Sequence, residues 1–396
     1  MDYKNRAGYF MKGNGYKSFV PAPLPPDPPI QFDSEMQNLL SLADRKLGRL
    51  DGITQVLPNP DLFVAMYVRK EAVLSSQIEG TQASFADVLS AEYNQNDDQR
   101  RNDISEISNY VRAMNWGLGE LDHFPLSLRL IRNIHKELLQ NTRGSHRNPG
   151  EFRQSQNWIG PAGCTLSTAT FVPPSIPEME KALGDLELYL YSDDMLPALV
   201  KIAIIHAQFE TIHPFLDGNG RMGRLLITFW LCEKEILSKP LLYLSYYFKS
   251  HRAEYYDRLM DVRLRGNWEE WIKFFLRGVA EVADESTDSA RAIIKLKDDC
   301  SRSLYEKDSN NSNYQLLLNT LFEMPLVRRS DVVKILNVSN PTAGNILSAF
   351  CESGILVDLH PEKSRNKLYA FKAYIDILNK GTEIGSQYSE ESHFEV

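Results

Sequence analysis

Apolar residues recur at intervals of three and four along most of the chain, and this rhythm predicts helices. One spans 34–50. A second starts at Asn59-Pro60-Asp61, with Asn59 as N-cap, Pro60 at the first helical position and Asp61 in the first turn. It continues through Phe63, Met66, Tyr67, Lys70 and Leu74 to Glu79, and Gly80 is the expected terminator. Ser84-x-x-Asp87 opens the next helix as a capping box. Further helices are predicted over 103–117, 127–141, 177–192, 196–212, 220–235, 251–264 and 268–279. Between 150 and 177 the rhythm breaks. Phe152, Trp158, Ile159, Thr165, Thr168, Phe171 and Val172 alternate with Gly160, Pro161, Gly163 and Pro173-Pro174, which predicts a short β-hairpin. The charged run 284–308 reads as helix and linker. From 313 a small unit follows, with helices at 314–323, 329–336 and 341–353, then strands at 355–359 and 367–371. That order is the one of a winged helix-turn-helix. The segment 19–29 holds six prolines and is expected to strap the surface as a polyproline II arm.

Composition changes this picture little. The chain has 396 residues, 43 % hydrophobic and 24 % charged, as expected of a globular protein with room for two or three domains. A net charge of −8 excludes a molecule built throughout as a nucleic-acid sink. Cys164, Cys232, Cys300 and Cys351 lie far apart without a C-x-x-C pair, so reduced thiols in a cytoplasm are expected rather than a zinc site or disulfides. Residues 1–20 lack the apolar run of a signal peptide, and no stretch is long enough for a membrane span.

The chemistry is concentrated in residues 213–224, His-Pro-Phe-Leu-Asp-Gly-Asn-Gly-Arg-Met-Gly-Arg. Gly218 to Gly223 matches G-x-G-x-x-G, but a helical pattern precedes it where a Rossmann unit needs a strand. A Walker A loop would require Lys-Ser/Thr after the last glycine, where Arg224-Leu225 stand. An EF-hand would require Glu at the position of Thr228. Arg221 and Arg224 fall in the first turns of the following helix, where a cation opposes the dipole by about 0.3–1 kcal/mol. Two arginines at the wrong end imply a missing anion, and a di- or triphosphate would supply it. Glu79 is misplaced in the opposite sense, at the negative end of its helix. A Ser76-x-x-Glu79 capping box would excuse it only by starting a helix in the middle of one. Pairing of Glu79 with one of the two arginines is the sharper expectation, and such a pair would be a switch.

The loop resembles the signature of the Fic family, H-x-F-x-[DE]-G-N-G-R-x-x-R, at every fixed position, and Ser75-x-x-x-Glu79-Gly80 is similar to that family's inhibitory motif. The resemblance implies a mainly α fold with a Fic-like helical core, a β-hairpin flap and a C-terminal winged helix. It implies transfer of AMP from ATP to a Tyr, Thr or Ser hydroxyl of a target protein or of the chain itself. His213 would be the general base, Asp217 the Mg²⁺ ligand, and Gly218, Asn219 and Gly220 the anion hole. Arg221 would hold the β-phosphate and Arg224 the γ-phosphate or, in its absence, Glu79. Ser75 and Glu79 would be inhibitory. Gly220 stands where a kinase branch of the family carries Lys, which favours AMP transfer. Phosphocholine transfer and removal of AMP remain alternatives. His206 and His135 read as packed helical histidines rather than second bases, Phe215 as a core anchor, and the aromatic residues of 243–256 and 268–275 as core.

The implied division is a proline-rich arm and helical region at 1–115 carrying the inhibitory helix 60–80; a catalytic core at 116–283 with its flap at 150–174; a helix or linker at 284–312; a winged helix at 313–376; and an acidic, disordered tail at 377–396. A rival reading makes the chain a DNA-binding regulator with vestigial enzyme activity. Residues 341–353 contain no Lys or Arg and offer only Asn345 as a base reader, and Asp331, Glu352, Asp358 and Glu362 offset Lys363, Arg365 and Lys367. DNA therefore ranks below a protein target, with homodimer formation left open.

Overall fold

The structure, a computed structural model, describes residues 5–13, 15–54, 60–90, 98–308, 311–363 and 365–383. A hairpin of β1 (Gly8–Lys12) and β2 (Lys17–Pro21) opens the chain. Helices α1 (Ser34–Thr54), α2 (Pro60–Ile78), α3 (Phe85–Ser90), α4 (Asp98–Leu121) and α5 (Leu128–Leu138) follow. After residues 150–174 come α6 (Ile176–Leu190), α7 (Ala198–Ile212), α8 (Asn219–Glu233), α9 (Ser245–Ser250), α10 (Arg252–Arg265) and the 40-residue α11 (Trp268–Lys307). The chain ends in α12 (Ser312–Glu323), β3 (Leu326–Arg328), α13 (Arg329–Leu336), α14 (Asn340–Glu352), β4 (Val357–Asp358), β5 (Leu368–Ala370) and α15 (Lys372–Asn379).

The mainly α expectation holds, and local chemistry explains most boundaries. Ser84 and Asp87 form the predicted reciprocal cap of α3, with the Ser84 backbone N–H donating to Asp87 at 2.8 Å and the Asp87 N–H to Ser84 Oγ at 3.1 Å. Ser127 caps α5 by accepting from the Leu130 N–H at 3.3 Å. At the end of α2 the Gly80 N–H donates to Gln77 O at 3.1 Å, and Gly80 takes φ +99°, a conformation that favours glycine. The proposed Asn59 cap lies outside the described residues.

The centre of the molecule is α7, buried along its length from Leu199 to Ile212, with α8 packed beside it. A helix apolar on every side is stable only when other elements enclose it. Here α6, α10 and α11 pack on α7, while α2, α4 and α5 pack on α8. Trp271, fully buried, donates from Nε1 to Ala203 O at 2.8 Å. Tyr243, Tyr255, Trp268 and Phe275 are likewise buried, as expected for core aromatics.

Several expectations need correction. The segment 284–312, expected as helix and linker, is helix as far as residue 307, where it continues α11 unbroken from Trp268 and packs along α1. Its buried residues Ala290, Ile293, Cys300 and Leu304 preserve the helical period through a charged composition. The 150–174 segment is not a regular hairpin. Its arms meet at a single antiparallel bridge, Ile159 to Phe171, because Pro161, Pro173 and Pro174 withdraw ladder donors. The arm 19–29 begins as strand β2, whose Phe19 N–H donates to Val172 O at 2.9 Å. It does strap the surface, with Gln208 Nε2 donating to Ala22 O at 2.9 Å.

The boundary at 377 also shifts. Helix α15 crosses it, Thr382 is fully buried, and Gln77 Nε2 donates to Thr382 O at 2.9 Å. Residues 384–396 of the expected acidic tail lie outside the described residues. Residues 312–370 follow the element order expected of a winged helix-turn-helix, with β3 added and a sheet ordered β3-β5-β4. No helix among the described residues is long and apolar enough to cross a membrane.

Candidate functional site

The loop 213–218 is the sharp connection between the two buried helices α7 and α8. His213 ends α7 in the left-handed conformation, φ +49° and ψ +61°, its N–H donating to Phe209 O at 2.9 Å. A non-glycine residue rarely holds that geometry unless its surroundings enforce it. Two buried or half-buried donors do so: Arg153 Nε at 3.1 Å and Asn157 Nδ2 at 3.2 Å both reach His213 O. The imidazole is 3 % exposed, and neither ring nitrogen has a hydrogen-bond partner. Burial, then the Arg263 and Arg153 cations, push its pKa down to about 3, so the ring is neutral and able to accept a proton.

The rest of the loop is held by its own side chains and by α5. Asn219 Oδ1 accepts from the Phe215 N–H at 2.8 Å, and its Nδ2 donates to Phe215 O at 2.9 Å. The Asn219 side chain is thus committed to the turn, leaving its backbone amide to the helix terminus. Phe215 is fully buried and stacks on His135 at 3.6 Å between centroids. His135 Nδ1 accepts from the Gly150 N–H at 2.9 Å, which leaves Nε2 to donate to Asp217 O at 2.9 Å. It is a packed helical histidine, as expected, but one that clamps the loop to the root of the 150–174 segment. His206 is packed too, between Gly223 O at 3.0 Å and the Tyr255 hydroxyl at 2.9 Å.

At the start of α8 the two misplaced arginines have found carboxylates. Arg224 Nη2 donates to Glu79 Oε1 at 2.5 Å and to Ser75 O at 3.0 Å, while Nε donates to Ser75 Oγ at 2.8 Å. Burial opposes the Arg224 charge, and Glu79 with the Tyr255 and Tyr256 hydroxyls more than restores it. A Cβ on Gly220 would lie 2.3 Å from Glu79 Oε1. Only glycine there lets the carboxylate settle at the positive end of α8, where a first turn leaves amides without helical acceptors. Arg221 is differently placed. It lies 3.6 Å from Glu106 and 3.4 Å from Asp217, and its Nε and Nη1 are buried without a hydrogen-bond partner. Gly218 caps the helix at φ +75°.

The structure therefore brings His213, Asp217, Gly218, Asn219, Gly220, Arg221, Arg224, Ser75 and Glu79 to one place. Periodicity missed Arg153, Asn157, Arg263, Glu106 and Glu210. Arg263 Nε donates to Thr211 Oγ1 at 3.1 Å and its guanidinium lies 4.0 Å over the Phe171 ring, joining α10 to the 150–174 segment. Glu210 is buried against Gly223, where a Cβ would come within 2.3 Å of Oε1, and burial pushes its pKa up to about 7. The available signal was an acid in a buried, mostly apolar helix, which calls for a compensating charge or proton nearby.

Comparison with known proteins gives this geometry a context. Residues 37–119 match the Fic/DOC family N-terminal model and residues 125–231 the Fic/DOC family model. The chain is 29 % identical over 192 residues to the protein adenylyltransferase Fic of Aedes aegypti, covering 47 % of this chain and 33 % of that protein. It is 25 % identical over 203 residues to the protein adenylyltransferase fic-1 of Caenorhabditis elegans, covering 51 % and 36 % respectively. The chain thus spans about a third of the length of these curated relatives. In fold it is similar to the crystal structure of a Fic family protein from Desulfovibrio desulfuricans, with a TM-score of 0.55 at 18 % identity, covering 87 % of this chain and 97 % of that one.

Proposed function

We propose that the chain, whose residues 37–119 and 125–231 match the Fic/DOC family N-terminal and Fic/DOC models, is a protein adenylyltransferase held inactive by Glu79. It transfers AMP from ATP to a Tyr, Thr or Ser hydroxyl of a protein target, itself included. The observation that carries this reading is the Glu79 carboxylate seated at Gly220 on Arg224, an anion at a helix N-terminus where a phosphate belongs. Arg221, buried with unpaired donors beside it, supplies a second contact for the same polyphosphate.

In the reaction, His213 accepts the proton of the attacking hydroxyl, which bonds to the α-phosphorus as pyrophosphate leaves. Both ring nitrogens are free of partners and available for that role, although the lowered pKa makes the ring a weaker base than a free imidazole. The backbone amides of Gly218, Asn219 and Gly220 line the anion hole. Arg221 and Arg224 orient the β- and γ-phosphates, in line with the electrostatic demands of the transition state. Asp217 fits Mg²⁺ as a single carboxylate with a half-buried, partly accessible side chain, because that cation commonly combines one or two carboxylates with substrate phosphates. The ion would screen the triphosphate's charge.

Inhibition follows from arithmetic on one guanidinium. Arg224 already commits Nε and Nη2 to Ser75 and Glu79, so the γ-phosphate can take that face of the guanidinium only after Glu79 leaves. Residues 150–174 serve as the flap that aligns the target by strand pairing. We read residues 313–376 as a winged helix for target recognition or dimerisation. Its α14 exposes Thr342, Asn345 and Ser348 but no cation, and Lys367 is paired with Asp358 at 2.5 Å. A salt titration of DNA binding with a steep slope would reverse that ranking.

The deciding experiment incubates the Glu79→Gly protein with ATP labelled at either the α- or the γ-phosphate. Label from α supports adenylylation. Label from γ alone makes the protein a kinase, and label from neither removes nucleotide transfer.

A further inference from the structure

Both roots of the flap and the carbonyl of His213 meet at one side chain, Arg153. It is 1 % exposed, and no carboxylate pairs with it among the described residues. Its donors go to carbonyls alone. Nε reaches His213 O at 3.1 Å, Nη2 reaches Pro174 O at 2.5 Å, and Nη1 reaches Ser155 O at 3.4 Å. The Arg153 backbone N–H adds Pro214 O at 2.8 Å. Residues 153 and 155 lie near the start of the flap, residue 174 closes it, and 213–214 begin the catalytic loop. Burying a cation without an acid is costly, so an ordinary core would not retain one here.

We propose that Arg153 is a positioning residue whose guanidinium fixes both roots of the flap and the His213 backbone as one rigid unit. The inference rests on the reading of His213 as base and of 150–174 as the target-binding flap. The chemistry needs this coupling because the proton acceptor and the target hydroxyl must share a register, and the hydroxyl is presented by the flap. Arginine suits the task because a planar fork with several donors can hold three carbonyls in fixed directions, whereas an ammonium cannot. Asn157 repeats the logic on a smaller scale, its Nδ2 reaching His213 O at 3.2 Å and Phe215 O at 2.9 Å. The Arg153 charge has a second consequence. With Arg263 on α10 it faces His213 and disfavours the imidazolium, while Glu210 on α7 is the acid nearest in sequence. The fork sets geometry and the charge sets protonation, and these two contributions separate in different substitutions.

Arg153→Lys and Arg153→Gln, each made in the Glu79→Gly protein, provide the test. Both should lower kcat for self-labelling by about 10–100-fold, with KM for ATP within about 3-fold, as loss of orientation predicts. The acid limb of kcat/KM should move to higher pH in Arg153→Gln and stay in place in Arg153→Lys, which keeps the cation. Two readouts need no catalysis. Amide hydrogen exchange should accelerate together in 158–172 and in 213–215 for both variants, and the His213 ring, followed by NMR, should titrate higher in Arg153→Gln alone. Unchanged kcat overturns the proposal, as does faster exchange in the flap with 213–215 still protected. If the Glu79→Gly parent itself shows no labelling, the enzyme reading has failed, and exchange and the ring titration still decide the role of Arg153. Should Arg153→Gln not fold, Arg153→Lys and Asn157→Ala carry the exchange test, with the same coupled acceleration expected.

Discussion

The two ends of the loop 213–224 are built in opposite ways. At His213 the backbone is pinned by Arg153 and Asn157 while the ring stays without a partner. At Arg224 the Nε and Nη2 donors are engaged by Ser75 and Glu79. Under the proposed function, the first end is ready for chemistry and the second is occupied. That difference teaches where regulation would be easiest. Blocking a base at His213 would require rearranging a buried loop, whereas blocking a phosphate site at Arg224 takes the one carboxylate of Glu79. On that reading the charged end can be switched while the His213 end keeps a single geometry.

The largest expected effect breaks the catalytic end. His213→Ala in the Glu79→Gly background should lower labelling from α-labelled ATP by about 10²–10⁴-fold, the usual range for a general base, and retained activity would assign the proton to another group. Next comes the charged end. Glu79→Gly alone should raise the labelling rate by about 10–100-fold, because apparent nucleotide affinity scales with the fraction of protein whose site is open. A rate equal to the parent's would mean that Glu79 is no brake. A smaller perturbation is Ser75→Ala, which removes the neutral acceptor Ser75 Oγ from Arg224 Nε but leaves Glu79 in place. A gain of about 3–10-fold is expected, matching a net hydrogen-bond contribution of about 1 kcal/mol, and calorimetric ATP affinity would report it directly.

The smallest effect sharpens the contrast through pH. A histidine in water would lose its base form below about 6.5. The His213 pKa lies at about 3, so its neutral form persists as pH falls and protonation comes only near that lower value. kcat/KM of the Glu79→Gly protein should change by less than about 2-fold between pH 8 and pH 5.5, since that parameter reports the free enzyme. A half-maximal rate near 6.5 would show that the ring is not held neutral by burial and by Arg263 and Arg153. The same sign governs folding. Unfolded histidines bind protons below about 6.5 while folded His206 and His213 do not, so their contribution to stability is present at neutral pH and is lost on acidification.

Much of the fold was legible because its signals are local. The Ser84 cap, the terminator Gly80 and the period of α7 and α8 are set by residues a few positions apart. The single ladder bridge in the flap was not legible, since β pairing depends on which donors the prolines leave available across a gap. The unbroken α11 was hidden because charge on its exposed face resembles a linker until α1 is known to cover the other face. In the site, residue types and dipole conflicts were readable, but distances were not. Charges at the wrong ends of two helices implied that Glu79 had an arginine partner.

The family resemblance pointed to Arg224, and the assembly shows how the two meet. Glu79 meets Arg224 across 145 positions, and Arg221 meets Glu106 from a third helix. Local pattern and residue chemistry determine helices, turns and charges because those depend on neighbours along the chain. Burial, pairing and the neutral state of His213 were decided only when α2, α4, α10 and the flap closed around α7 and α8. Desolvation and ion pairing depend on everything within a few ångströms in space, whatever its place in the sequence.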